Sequence, residues 1–164
     1  MQKILYVSML IIITFSCRKK NEYAQDLFHD IVTEESMVKK FNGYSISNRG
    51  VYYIFENDQK VYFVDNFKIN KEHRLNIVNS IEITERKEKE LYLLLAFMKK
   101  YNIINVKGNF QSPNGLVIEF RTVSNEILIY FDEYHFDKNK LKKFEPSFKE
   151  INRNWGYYIG KSSD

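Results

Sequence analysis

The densest group of side chains able to do chemistry is Asp132-Glu133-Tyr134-His135-Phe136-Asp137, at the end of a strand-like run. Carboxylates beside an imidazole can bind a divalent cation or form an acid–base pair. Side chains alternate across a strand, so Glu133, His135 and Asp137 would share one face and Asp132 the other. That triplet is the one geometrically sound site in the cluster, and a small periplasmic hydrolase or metal-dependent enzyme would use it. Nothing nearby supplies a nucleophile, an oxyanion hole or a second histidine. Lys138, Lys140, Lys142 and Lys143 follow at once, so the plainer reading is a solvated strand end neutralised by its own loop. A second group, Asp26, His29 and Asp30, has i, i+3, i+4 spacing. It faces away from Leu27, Phe28 and Ile31 and reads as the wet side of an amphipathic helix. The chain carries no HExxH, GxSxG, CxxC or Gly-rich phosphate loop. No catalytic residue is assigned with these patterns missing, and no metal or cofactor is expected.

Cys17 is the only cysteine, so no intramolecular disulfide can form. It follows Lys3 and an apolar run over residues 4–15, the layout of an export signal. The run is shorter than the roughly 20 residues that span a bilayer. The formal charge of +4 also belongs to this region. Lys3, Arg18, Lys19 and Lys20 are basic, residues 1–20 hold no acid, and residues 21–164 balance 21 basic against 21 acidic side chains. A neutral domain gives no nucleic-acid footprint.

Thr14-Phe15-Ser16-Cys17 resembles the lipobox of bacterial lipoproteins, which are cleaved before the cysteine and lipidated on its sulfur. The ending Asn154-Trp155-Gly156-Tyr157-Tyr158 resembles the Trp-Tyr-Tyr endings of small lipoproteins from Bacteroidetes-type bacteria. The resemblance implies a signal peptide over residues 1–16, a lipidated tether over 17–21 and a domain over 22–164. It also implies a place in the cell envelope. Arg18 is not the Asp that retains enteric lipoproteins at the inner membrane, so the expected site is the outer membrane, facing the periplasm. The partners expected are the membrane, through lipid on Cys17, and a protein.

No repeat or linker divides residues 22–164, so one domain is expected. Ala24, Leu27, Phe28, Ile31, Val38 and Phe41 recur at helical spacing, with Glu35 in the stripe predicting a break near Thr33. Residues 51–56 and 60–64 read as a hairpin turning at 57–59. Residues 75–83 fit a strand by the alternation of Leu75, Ile77, Ile81 and Ile83 and a short helix by the spacing of Leu75, Val78 and Ile81; a helix with an extended end is the expectation. Thr84 caps a helix over 85–101 with a stripe of Leu91, Leu94, Leu95, Met98 and Tyr101. A strand near 104–107 follows, then a hairpin of 116–123 with 126–132 turning at Ser124-Asn125, and a last strand near 155–159. These elements predict an α+β domain, with an antiparallel meandering sheet of about five or six strands and two or three helices mainly on one face. The expected core includes Leu27, Phe28, Ile31, Leu91, Leu94, Leu95, Met98, Ile118, Phe120, Ile127 and Ile129.

Placing Val51, Tyr53, Phe55, Val61 and Phe63 inward turns Tyr52, Ile54, Tyr62 and Val64 outward. In the later hairpin Val117, Glu119, Arg121, Leu128 and Tyr130 form the second face. Tyrosines mixed with aliphatics and an arginine are what recognition surfaces enrich, so Tyr52, Tyr62, Arg121 and Tyr130 are the candidate binding surface. The expected function is a non-catalytic binding lipoprotein, one version being an immunity-type inhibitor of a toxin.

Overall fold

The computed structural model describes residues 23–69, 75–79, 81–108, 116–132 and 137–160. The helical stretch 23–41 is broken as its sequence requires. Helix α1 (Tyr23–Ile31) gives way to a 3-10 turn over Val32–Glu34, then to α2 (Glu35–Val38) and a closing 3-10 turn over Lys39–Phe41. The break lets Glu35 leave the apolar stripe. Its carboxylate accepts from the Tyr130 hydroxyl at 2.9 Å and pairs with Lys39 at 2.7 Å.

Among the described residues nine strands follow: β1 (Ser45–Asn48), β2 (Tyr52–Asn57), β3 (Lys60–Ile69), β4 (Leu75–Ile77), β5 (Asn105–Gly108), β6 (Val117–Arg121), β7 (Glu126–Phe131), β8 (Lys149–Asn152) and β9 (Trp155–Ile159). Helix α3 (Glu85–Lys100) lies between β4 and β5, and α4 (Lys138–Phe144) between β7 and β8. All nine strands join one antiparallel sheet in the order β4-β3-β2-β1-β5-β6-β7-β9-β8. From the central β1–β5 pair, β1 to β4 meander outward on one side and β5 to β7 on the other, where β9 returns to lie between β7 and the edge strand β8; α3 carries the chain from the β4 edge back to the centre.

Nine strands replace the five or six expected, which corrects the predicted sheet. Ser45-Ile46-Ser47-Asn48 has one apolar residue and no sequence signature, yet it is central because β2 and β5 both pair with it. Leu75–Ile77 is a strand and not a helix, held by pairing to β3 and by Leu75 N donating to Glu88 Oε1 at 3.0 Å. β8 is a short edge with mostly exposed side chains.

Helix α3 starts where Thr84 Oγ1 accepts from Lys87 N at 3.3 Å. It ends in a left-handed cap at Asn102 (φ 52), where Ile103 N reaches Met98 O at 2.8 Å. Leu91, Leu94, Leu95 and Met98 are buried along it. With Leu27, Phe28 and Ile31 they cover one face of the sheet, meeting Ile46, Phe55, Val106, Ile118 and Phe120. Trp155 sits among Phe28, Tyr130 and Phe120 in this layer.

Among the described residues the opposite face is covered on one side alone. Ile127, Ile129, Phe131 and Tyr158 form a second cluster with Phe148, against which Leu141 of α4 packs. The expected core residues are all buried, but Ile127 and Ile129 belong to this smaller layer.

Both hairpins invert the expected face of their second strand. Asn57 pairs with Lys60, so the turn is the two residues Asp58-Gln59, both left-handed (φ 47 and 64), as in the turns that match strand twist. Reading three residues there shifts the register by one and turns every β3 side chain over. In the later hairpin Arg121 pairs with Ile127, leaving residues 122–126 between them. Ser124 N and Glu126 N are satisfied by the Thr122 and Ser124 hydroxyls.

Candidate functional site

The half of the sheet that no other described element covers, over β3, β2, β1, β5 and β6, carries the side chains that alternate away from α1 and α3. On β2 and β3 these are Tyr52, Ile54, Val61 and Phe63, of which Tyr52 is exposed and the others half-buried. Next to them Ser47 faces Asn105, and Lys107 and Asn105 face Glu119 and Arg121 across the β5–β6 pair. These polar residues, with Arg49, Ile104 and Ile127, line an open groove of about 310 Å³.

The charges in the groove are unequal. Arg49, Lys107 and Arg121 face one acid, Glu119. Glu119 Oε1 accepts from the Tyr158 hydroxyl at 3.0 Å. Burial first, and then the Glu119 carboxylate, push the Tyr158 phenol well up, so it stays a neutral donor. Lys107 and Arg121 form no ion pair among the described residues, although Lys107 is the cross-strand partner of Glu119. An arginine and a lysine left available on a rigid sheet can take a carboxylate or other anionic group from outside. Among the described residues the groove lining holds no histidine or cysteine and no carboxylate besides Glu119.

Of the expected surface, Tyr52 and Arg121 lie on this open face. Tyr62 and Tyr130 do not: both are in the main core, a correction that follows from the two inverted strands. Phe63 and Val61 take the outward places on β3. Ser47, Asn105 and Lys107 escaped the sequence reading because the central position of β1 and β5 was not legible.

Asp137 caps α4, its carboxylate accepting from Asn139 N and Lys140 N at 3.0 Å. Glu133 and His135, its expected companions, lie outside the described residues, as does Cys17. Asp26, His29 and Asp30 are on α1, where all three are exposed. Among the described residues no three His, Cys, Asp or Glu gather as metal ligands, and no helix is long and apolar enough to cross a membrane.

A second concavity of about 260 Å³ lies at the start of α3. Its polar groups answer one another. Lys87 Nζ donates to the Tyr44 hydroxyl and to Asn57 Oδ1 at 2.6 Å, and Asn57 Nδ2 donates to Gly43 O at 2.9 Å. Burial, then Glu90, keeps the Tyr44 phenol protonated. This network clamps α3 onto β2 and leaves little to offer a ligand. Comparison of the chain with known protein families, characterised proteins and solved structures finds no match.

Proposed function

We propose that this chain is a non-catalytic lipoprotein of the cell envelope, anchored through lipid on Cys17 at the outer membrane and facing the periplasm. It binds a protein partner through the open half of its sheet. The observation that supports this reading is the pairing of an apolar row, Tyr52, Ile54, Val61 and Phe63, with a cationic groove at Arg49, Lys107 and Arg121. Aromatic and aliphatic anchors beside arginine are the anatomy of protein interfaces. The partner surface is acidic at the groove and apolar beside it. Local positive charge on an otherwise neutral domain steers such a partner to this face without drawing polyanions to the whole molecule. An immunity-type inhibitor docking on an acidic toxin surface is one instance.

The test is photo-crosslinking in cells. A photoreactive residue at Phe63 captures a protein, one at Leu93 on the far, helix-covered side does not, and Lys107→Glu with Arg121→Glu lowers the Phe63 yield. Equal capture from both positions, or none from Phe63, overturns the reading.

A further inference from the structure

Large apolar side chains left exposed on the described part of the molecule are unevenly placed. Eight are exposed, and five of them, Tyr23, Val51, Val123, Phe144 and Ile159, lie at one end of the sheet. The register fixes that end. Asn48 pairs with Tyr53, so the β1–β2 turn carries Arg49 and Val51 there. Asn48 N reaches Ile104 O, and Ile104 N reaches Arg121 O, each at 2.8 Å, which aligns the β6–β7 turn with it. Val123 stands in that turn, 77% exposed. Glu126 pairs with Ile159, and Gly160 N bonds Asn125 O at 2.7 Å. Phe144 ends α4 three residues before Ser147, whose hydroxyl accepts from Ile159 N at 3.0 Å. Glu126 also holds the start of α1, its carboxylate accepting from Ala24 N at 2.9 Å.

The chain therefore enters the domain at this same end. Cys17 stands six residues before Tyr23, and six residues reach at most about 20 Å. A domain of this size is roughly 37 Å across, taking its radius of gyration from its length. A tether this short holds this end, rather than the opposite one, nearest the bilayer.

We propose that this end of the sheet is a membrane-docking surface that rests on phospholipid. Val51, Val123, Phe144, Ile159 and Tyr23 enter the headgroup layer, and Arg49 stands beside the phosphates. The proposal rests on the anchor at Cys17. Its consequence is an orientation: the strands stand off the membrane, and the open sheet face looks sideways, along the bilayer, where a membrane-bound partner could meet it. Isolated exposed apolar residues are ordinary. Their gathering where the tether emerges is what points to lipid.

The experiment uses the full chain, processed in cells and reconstituted into phosphatidylethanolamine–phosphatidylglycerol vesicles containing nitroxide-labelled lipid. A lipidated Cys17 has no free thiol, so a fluorophore goes only to a cysteine introduced at Val123→Cys, Phe144→Cys or, as control, Lys60→Cys at the opposite end of β2 and β3. Quenching is expected to be several-fold stronger at Val123→Cys and Phe144→Cys than at Lys60→Cys. Fatty-acid labelling of the chain and its Cys17→Ser variant reads the anchor separately. Equal quenching in a chain that carries label on Cys17 overturns the orientation alone. A chain that takes no label, or keeps it in Cys17→Ser, overturns the anchor and the orientation together.

Discussion

Gly108→Ala gives the sharpest check on how the helical stretch meets the sheet, because contact geometry alone decides the sign. A β-carbon added at Gly108 would overlap the Phe41 carbonyl oxygen, lie 2.8 Å from the Phe41 carbonyl carbon and lie 3.1 Å from Tyr44 O. These are backbone atoms, so no rotamer change relieves the overlap. Either β5 or the closing turn of 23–41 must move. Movement breaks the 2.7 Å bond from Gly108 N to Tyr44 O, worth roughly 0.5–1.5 kcal/mol. Overpacking adds about 1–3 kcal/mol. Phe41 is fully buried and meets Phe120 edge-on at 5.5 Å, so its displacement also loosens the core. Against this, replacing a strand glycine by alanine without a clash gains roughly 0.5–1 kcal/mol. The net expectation is a loss of about 1–3.5 kcal/mol, taking these contributions together. For a domain near this size that lowers Tm by roughly 3–10 °C. Trp155, the only tryptophan and almost fully buried, reports urea or thermal unfolding. Gly50→Ala is the reference, since nothing lies within 4 Å of its β-carbon and only its left-handed φ of 75° opposes the change, at about 1–2 kcal/mol. A neutral or stabilising Gly108→Ala would refute the close approach of Phe41 to β5.

Two further outcomes are expected. Tyr62→Ala should cost about 3–5 kcal/mol, as for a buried aromatic, and Phe63→Ala distinctly less, measured by urea denaturation; the reverse order would restore the three-residue turn at 57–59. The Glu35 carboxyl is held below the ordinary glutamate value by the Lys39 ammonium first and the Tyr130 hydroxyl second. A depressed value means stability that is present above about pH 4.3, the unfolded glutamate value, and is lost as pH falls through the folded one. Glu35→Gln should therefore flatten the acid limb of the stability profile while changing neutral stability little, because the side chain is 46% exposed; an unchanged acid limb in urea titrations from pH 3 to 7 would show that Glu35 is not held this way.

Local periodicity is what the sequence determined by itself. The α3 stripe of Leu91, Leu94, Leu95 and Met98 repeats every three or four residues; the Thr84 side chain caps its start and the left-handed backbone at Asn102 closes its end, both local features. The first strand of each hairpin was legible for the same reason, since Tyr53, Phe55, Ile118 and Phe120 alternate strictly with outward residues. The groove was half legible: Glu119 and Arg121 follow from β6 alone. The tertiary structure decided the rest. Whether Tyr62 or Phe63 is buried depends on a single residue of turn length, and β7 is apolar on both sides because separate layers cover it, so alternation carries no preference there. β1 becomes the centre of the sheet through pairings to residues distant in sequence, which no local pattern encodes. Ser47 and Arg49 join Asn105, Lys107 and Arg121 in one groove only because α3 returns the chain to that centre, where β1 pairs with β5 and residues far apart in sequence stand about one strand spacing apart, near 4.8 Å.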